Sequence, residues 1–363
     1  MTLLTRKLKD ISVIKTGKLD SNAAVPNGLY PFFTCDPKTL SINKWAYDTE
    51  AVLLAGNNAS GNFTAKYYNG KFNAYQRTYI IETADKKALN VRFLCYAINM
   101  KLSLLKNRST GSTTKFLTIR ILHDLDIPYP GISIQNKIAY YLGSIDELIE
   151  NNRKQIKLLE EAAQRIYKEW FVDLHFPGYE TTPIVDGIPE GWKNGVLGQL
   201  GEFKRGQTIT KSQVNPGSVP VVAGGLEPAY YHNSSNTKAP VITVSASGAN
   251  AGYARFYYVE VFASDCSFLD SNSTNYLEYI YCLLREKKTD LRSMQKGSAQ
   301  PHVYAKDINT LHTLLPEEEV VRAFCKRTSF LFKKIGILEQ QITSLIESRD
   351  RLLPKLMTGE IEV

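Results

Sequence analysis

At 363 residues, 43% hydrophobic and 22% charged, the chain is long enough for two or three domains with real cores, and its composition excludes a disordered or fibrous class. Its balance is basic, 44 Lys and Arg against 36 Asp and Glu for a net charge of +8, which suits a polyanionic partner without requiring one. Five cysteines without a CxxC pair argue against a disulfide framework or a zinc site and fit a reducing cytoplasm; the first ten residues lack a signal-peptide core, and no apolar run reaches the roughly 18 residues of a membrane span.

The elements come in two rounds. Leu8 to Lys18 aligns with Leu197 to Gln207, setting Gly17 over Gly206 at an offset of 189, and Pro31-Phe32-Phe33 falls on Pro220-Val221-Val222 at the same offset. Farther on, Gly111-Ser112 matches Gly297-Ser298 and Pro130 matches Pro316 at an offset of 186. The following helix keeps that second offset, with Gln155-Ile156 over Gln341-Ile342, Leu159 over Leu345 and Arg165 over Arg351. So long a period is no solenoid repeat but two copies of one domain-plus-helix module. Such a molecule suits a target with approximate two-fold symmetry.

In the first copy, residues 1–134, β-branched and aromatic runs such as Ala51 to Ala55 and Tyr79 to Ile81 predict short strands, and one helical stretch is expected over Leu89 to Lys106. In the second, residues 192–316, strands are expected at Val219 to Ala223, Val241 to Ser245 and Tyr253 to Val261, with a helix over Asn275 to Met294. The expected class is mixed α/β (α+β). Polar loops between strands are the candidate chemistry. Asn57, Asn58 and Ser60 precede Lys66, and Ser245, Ser247 and Asn250 precede Arg255; amides, hydroxyls and cations of this kind can read base edges and hold phosphates. The alternative is a hairpin with solvated turn residues. After each helical stretch a Gly-Ser loop carries further candidates, Thr113 and Lys115 in one copy and Lys296, Gln300 and His302 in the other. An ordinary helix-terminal loop remains open for any one of these.

Each copy is followed by a long apolar stripe stepping four and three. The first runs Ile138, Leu142, Ile145, Ile149, Asn152, Ile156, Leu159, Ala163, Ile166, Trp170. The second runs Phe324, Thr328, Leu331, Ile335, Leu338, Ile342, Leu345, Arg349, Leu352, Leu356. A seven-residue repeat over some four heptads is a coiled-coil seam, and the two seams most simply bury each other; the alternative is two helices packed separately on their own domains. Each helix of roughly 40 residues spans about 60 Å. Asn152 at a core position would fix register. The expected segments are helices at 135–173 and 317–357, a Pro- and Gly-rich linker at 174–191, and a tail at 358–363. Antiparallel pairing leaves that linker relaxed and sets the domains at opposite ends, whereas parallel pairing would stretch it along a whole helix.

Catalytic motifs are missing from the sequence. There is no GxxxxGK[ST] loop, no GxGxxG after a strand and no Asn-Pro-Pro-aromatic tetrapeptide; Asn215-Pro216-Gly217 lacks the second proline and the aromatic. The five histidines show no metal-ligand spacing, and no carboxylate–lysine cluster occurs in both copies. No catalytic or metal-binding residue is expected.

These features resemble the specificity subunit of Type I restriction–modification systems over essentially the whole length. The matching segments are Leu8-Lys9-Asp10-Ile11 with Gly17, the Gly-Ser loop leading to Ile127-Pro128-Tyr129-Pro130, and Ile134-Gln135-Asn136-Lys137-Ile138-Ala139 opening a helix with Ile145-Asp146. Next come Tyr167-Lys168-Glu169-Trp170-Phe171, the linker Gly187-Ile188-Pro189-Glu190-Gly191-Trp192, and the ending from Leu352-Leu353-Pro354 to Gly359-Glu360-Ile361. The resemblance implies two target-recognition domains, each reading half of a split double-stranded DNA site, and two helices forming an antiparallel spacer. It also implies docking of two modification subunits, which carry S-adenosylmethionine, and of restriction subunits that use ATP and Mg. A methylation-only complex without restriction subunits would use the same chain. A non-enzymatic coiled-coil scaffold spacing two protein-binding heads is the reading from another class.

Overall fold

Alternation along the strands decides how the first sheet is buried. In the computed structural model, which describes residues 2–296 and 301–363, Tyr47–Ala55 sends Ala51 and Leu53 to one face and Val52 and Leu54 to the other. Both sets are buried, because the helix Val91–Asn99 covers the Val52 face and a cluster of Phe33, Phe72 and Ile80 covers the opposite one. The six-stranded sheet runs in the order Ser12–Thr16, Thr78–Thr83, Tyr47–Ala55, Ala65–Ala74, Tyr30–Phe33, Leu40–Ile42. All neighbours are antiparallel except Tyr30–Phe33, which lies parallel to Ala65–Ala74.

The second copy repeats the pairing pattern, and three of its ladders keep the register of the sequence offset. Leu4 faces Tyr129 and Lys193 faces Leu315; Phe32 faces Asn73 and Val221 faces Phe262; Val52 faces Ile81 and Val241 faces Asp270. In these ladders the equivalent partners differ by 189 residues before the helical stretch and by 186 after it, as in the sequence alignment. Its strands divide into a four-stranded sheet, Lys204–Arg205, Cys266–Asp270, Val241–Ser245 and Ala254–Tyr257, and a three-stranded one, Tyr230–His232, Pro216–Val222 and Phe262–Ala263. The matched glycines have a steric cause. A Cβ on Gly17 would lie 2.2 Å from the Ala74 carbonyl oxygen, and one on Gly206 would lie 2.4 and 2.6 Å from those of Ser264 and Ala263.

Two expectations need correction. The helical stretch of each domain is broken in two, into Val91–Asn99 and Leu102–Arg108, and into Leu277–Glu286 and Lys288–Ser293. In the first copy the Asn99 amide donates to the Cys95 and Ala65 carbonyls and closes the helix there. The run Tyr253 to Val261 pairs only over Ala254–Tyr257.

The long helices Ile132–Phe171 and Glu318–Thr358 each contribute to both compact units, residues 1–150 with 343–363 and residues 151–342. Within the second unit they run antiparallel, since Asn152 meets Gln341 at 3.3 Å and Tyr167 meets Phe324 with ring centroids 6.0 Å apart. Within the first, Asp146 meets Arg349 at 3.0 Å while Ile138 and Leu142 share a core with Leu352 and Leu356. Ile138, Leu142, Ile149, Phe324, Leu331, Ile335 and Leu338 are buried, and Ile145, Ile156, Leu159, Ile342, Leu345 and Leu352 are partly so. A fully buried Leu or Ile contributes about 1.5–3 kcal/mol. Each polar interruption of the stripes has a partner. Asn152 bonds Gln341, Thr328 bonds the Phe324 carbonyl at 2.9 Å, and Arg349 bonds Asp146. Past Leu159 the most buried positions are Ala163, Tyr167 and Phe171, with Ile166 and Trp170 only partly covered. A 3.6-residue helix drifts against a 3.5-residue repeat, and these last turns pack on Tyr279 and Trp192 of the domain. The linker is folded back rather than stretched, with Phe176 buried against Trp192 at 4.8 Å.

Candidate nucleic-acid interface

In the first domain the two polar loops flagged in sequence meet. Asn57 and Asn58 pair antiparallel with Phe116 and Lys115, and Lys106 donates to the Asn62 amide oxygen at 2.7 Å. The hairpin that carries Thr113 is closed by reciprocal bonds between the Thr110 and Phe116 backbones, 3.0 and 2.8 Å. The second domain builds the same closure between Lys296 and His302, both bonds 2.9 Å, and pairs Ser247 with His302. Val303 then donates to the Ala246 carbonyl, as Leu117 does to that of Gly56. One construction, two loops stitched by backbone, therefore recurs at equivalent places. Gln300 lies outside the described residues.

The individual side chains divide by what they hold. Asn58 is occupied by its own turn, accepting from the Ser60 amide and hydroxyl and from the Asn62 amide at 2.9–3.1 Å. Ser245 is buried and donates to the Gly224 carbonyl, Asn250 donates to the same carbonyl at 3.4 Å, and the Ser247 hydroxyl donates to Asp265. Lys296 is paired with Asp307 at 2.6 Å, and the His302 ring stacks on Tyr304 with centroids 5.8 Å apart. Thr113 is exposed on its hairpin and Lys115 half-buried beside it. The Asn57 amide oxygen is buried without a hydrogen-bond partner among the described residues, beside the loop surface.

Lys66 and Arg255 are not gathered with these loops. Lys66 projects from the strand opposite Leu53 and donates to the Asp36 carbonyl and Thr39 hydroxyl, both 3.2 Å. Burial lowers its pKa, only partly offset by Asp36. Arg255 lies over the Tyr257 ring and donates to the Leu226 carbonyl at 2.7 Å; burial opposes its charge, but Tyr257, Glu227 and Glu339 outweigh that and raise its pKa. Both are candidates in sequence as cations following a polar loop, and a strand's two-residue period turns them toward these partners.

Sequence reasoning passed over Arg77. Its guanidinium is exposed and sits 5.3 Å from the Phe116 ring centre, between the two stitched loops. A lone arginine in a Gln-Arg-Thr turn carries no motif, so only the fold reveals its place. Among the described residues, no group of three or more His, Cys, Asp or Glu is placed to share a metal ion, and no helix is long and apolar enough to cross a membrane.

Comparison with known proteins defines the class. The family described as the Type I restriction modification DNA specificity domain matches residues 3–161 and again residues 189–348. The chain belongs to this family and carries its domain twice. The specificity subunit of the Type I restriction enzyme EcoDI from Escherichia coli is 37% identical over 161 residues, 44% of this chain and 35% of that protein. The MjaIX specificity subunit of Methanocaldococcus jannaschii is 30% identical over 286 residues, 71% of this chain and 66% of that protein. These alignments thus span about a third and about two thirds of the two relatives. A crystal structure of a Type I restriction–modification system S subunit from M. genitalium has the same fold, with a TM-score of 0.63 at 19% identity, covering 98% of this chain and 96% of that one.

Proposed function

We propose that this chain is the DNA-reading subunit of a Type I restriction–modification complex, with residues 1–134 reading one half of a bipartite site and residues 192–316 the other. The observation that carries the reading is the paired loop construction, identical in backbone register and different in side chains between the domains. A shared scaffold with divergent tips is what two independent readers of different half-sites need. On this reading the antiparallel helices set the spacer between half-sites. Exposed apolar side chains on them, Tyr140, Leu158, Phe330 and Ile337, support docking of modification subunits, two by the symmetry of the repeat. Methyl transfer from S-adenosylmethionine lies on those partners, and ATP- and Mg-dependent activity on restriction subunits where they are present. The chain itself is non-catalytic and works in the cytoplasm.

Exchanging residues 1–134 for those of a relative, in the complex with its modification subunits, should change one half of the methylated motif and leave the other intact. Sequencing of methylated DNA reads the outcome. A change in both halves together would refute independent reading, and a complex that methylates no specific motif would refute the function.

A further inference from the structure

Arg77 is held more firmly than an exposed arginine in a turn usually is. Its backbone carbonyl accepts from the Gly56 amide at 2.9 Å and from the Cys35 thiol at 3.5 Å. A Cβ at Gly56 would stand 2.3 Å from that carbonyl, so the close approach depends on glycine. The residue therefore starts from the same rigid corner as the loop that opens with Asn57. From there the guanidinium lies over Phe116, the last residue of the closed hairpin. Stacking on an aromatic face restricts a long side chain and leaves its N–H edge free to bond in the ring's plane direction. Beneath it opens a cavity of about 330 Å³, lined by Thr16, Gln76, Arg77, Tyr79, Phe116 and Thr118 among others. Hydroxyls, an amide and a guanidinium around one opening are groups that meet base edges.

The second domain has no such group there. The residue at this corner is Asp265, whose carbonyl accepts from the Ala246 amide at 3.3 Å as that of Arg77 accepts from Gly56, and whose carboxylate accepts from the Ser247 hydroxyl. Cys266 takes the place of Thr78, its thiol directed to the Val222 carbonyl as the Thr78 hydroxyl is to that of Phe33, and the counterpart of Phe116 is His302, stacked on Tyr304. The backbone corner is common and the chemistry differs, as a specificity position requires. A positioned guanidinium presents two parallel N–H donors, which match the O6 and N7 acceptors of guanine in the major groove.

We propose that Arg77 reads a guanine in the half-site of the first domain, with Phe116 as its positioning residue; the inference rests on the DNA-reading function proposed above. The test uses the complex with its modification subunits and compares wild type with Arg77→Ala, Arg77→Lys and Phe116→Leu. The readout is the methylated motif, together with binding to oligonucleotides in which each position of the first half-site is varied. Arg77→Ala and Arg77→Lys should each lose roughly tenfold or more of the discrimination at one G·C position, with the second half-site unchanged. Phe116→Leu should relax the same position less. Weakening that is equal for all sequences, with a shallower salt dependence, would make Arg77 a phosphate contact and overturn the proposal. An unchanged motif in the folded Arg77→Lys complex would also overturn it. If wild type recognises no bipartite motif, the function itself fails and this inference with it.

Discussion

The two recognition domains share their strand pairing yet place opposite charges at equivalent positions. In the first, Arg92 at the start of its helix donates to Glu147 of the long helix at 2.6 Å and to the Gly143 carbonyl at 3.1 Å. A Cβ at Gly143 would stand 2.4 Å from that guanidinium, so glycine makes the room. In the second, 186 residues later, Glu278 takes the place of Arg92 and Lys333 that of Glu147, and the glycine has become Ser329. Lys333 acts on Glu278 with the favourable sign. The attraction between helix and long helix survives with its polarity reversed. Backbone pairing and steric fit are therefore what the copies have kept, while charge at any one place has been free to change. The loops obey the same rule, since Arg77 over Phe116 in one domain is matched by Asp265 and His302 in the other.

The sharpest way to break this comparison is to attack what both copies keep. Gly17→Ala and Gly206→Ala each force a Cβ against neighbouring strand carbonyls that are fixed by sheet pairing. Each should cost about 3 kcal/mol or more, the range of steric failures in a packed interior. Hydrogen exchange should show lost protection in Ser12–Thr16 and Ala65–Ala74 for the first variant, and in Phe262–Ala263 and Cys266–Asp270 for the second. Equal and modest losses in both domains from either variant would show that the glycines are not domain-specific steric requirements.

Much of this was legible in the sequence because it leaves a period or an offset. The repeat showed through glycines that no other residue can replace and through prolines at strand ends, and the seams through their four-three spacing. Asn152 and Arg349 stood out as polar residues in an apolar stripe, and each has a cross-helix partner. What failed to show was the direction of single side chains. Asn58 and Ser247 have the chemistry to read bases but are engaged by their own surroundings. Lys66 and Arg255 face other residues because of strand parity. Arg77 gains its meaning from Phe116, 39 positions away in sequence, and nothing local announces that encounter.

A second experiment separates reading from spacing. Seven residues inserted after Asn152 and after Leu338 preserve both seams and lengthen each helix by about 10 Å, close to three base pairs at roughly 3.4 Å each. The methylated motif should keep both half-sites and gain roughly two to four unspecified base pairs between them. A folded insertion variant that still methylates the original spacing would refute the spacer role while leaving the two readers standing.

The finest test uses the reversed charge pair. Burial raises the Glu278 carboxyl above its ordinary value, against the opposing pull of its own helix amide and of Lys333. A raised carboxyl binds its proton more tightly in the folded state. Its stabilising contribution is thus complete below the unfolded value and is lost as pH rises through the folded one. At neutral pH the ionised carboxylate is therefore a burden on the second domain. Glu278→Gln should raise stability there by no more than about 1 kcal/mol, the scale of an ordinary substitution. Denaturation followed by hydrogen exchange in Leu277–Glu286 reads the gain at neutral pH and its disappearance as pH falls below the ordinary glutamate range. A gain that persists in acid would mean packing, not titration, separates Gln from Glu. A loss at neutral pH would mean that Lys333 holds Glu278 as firmly as Glu147 holds Arg92, and the two reversed pairs would then be equivalent in strength as well as in place.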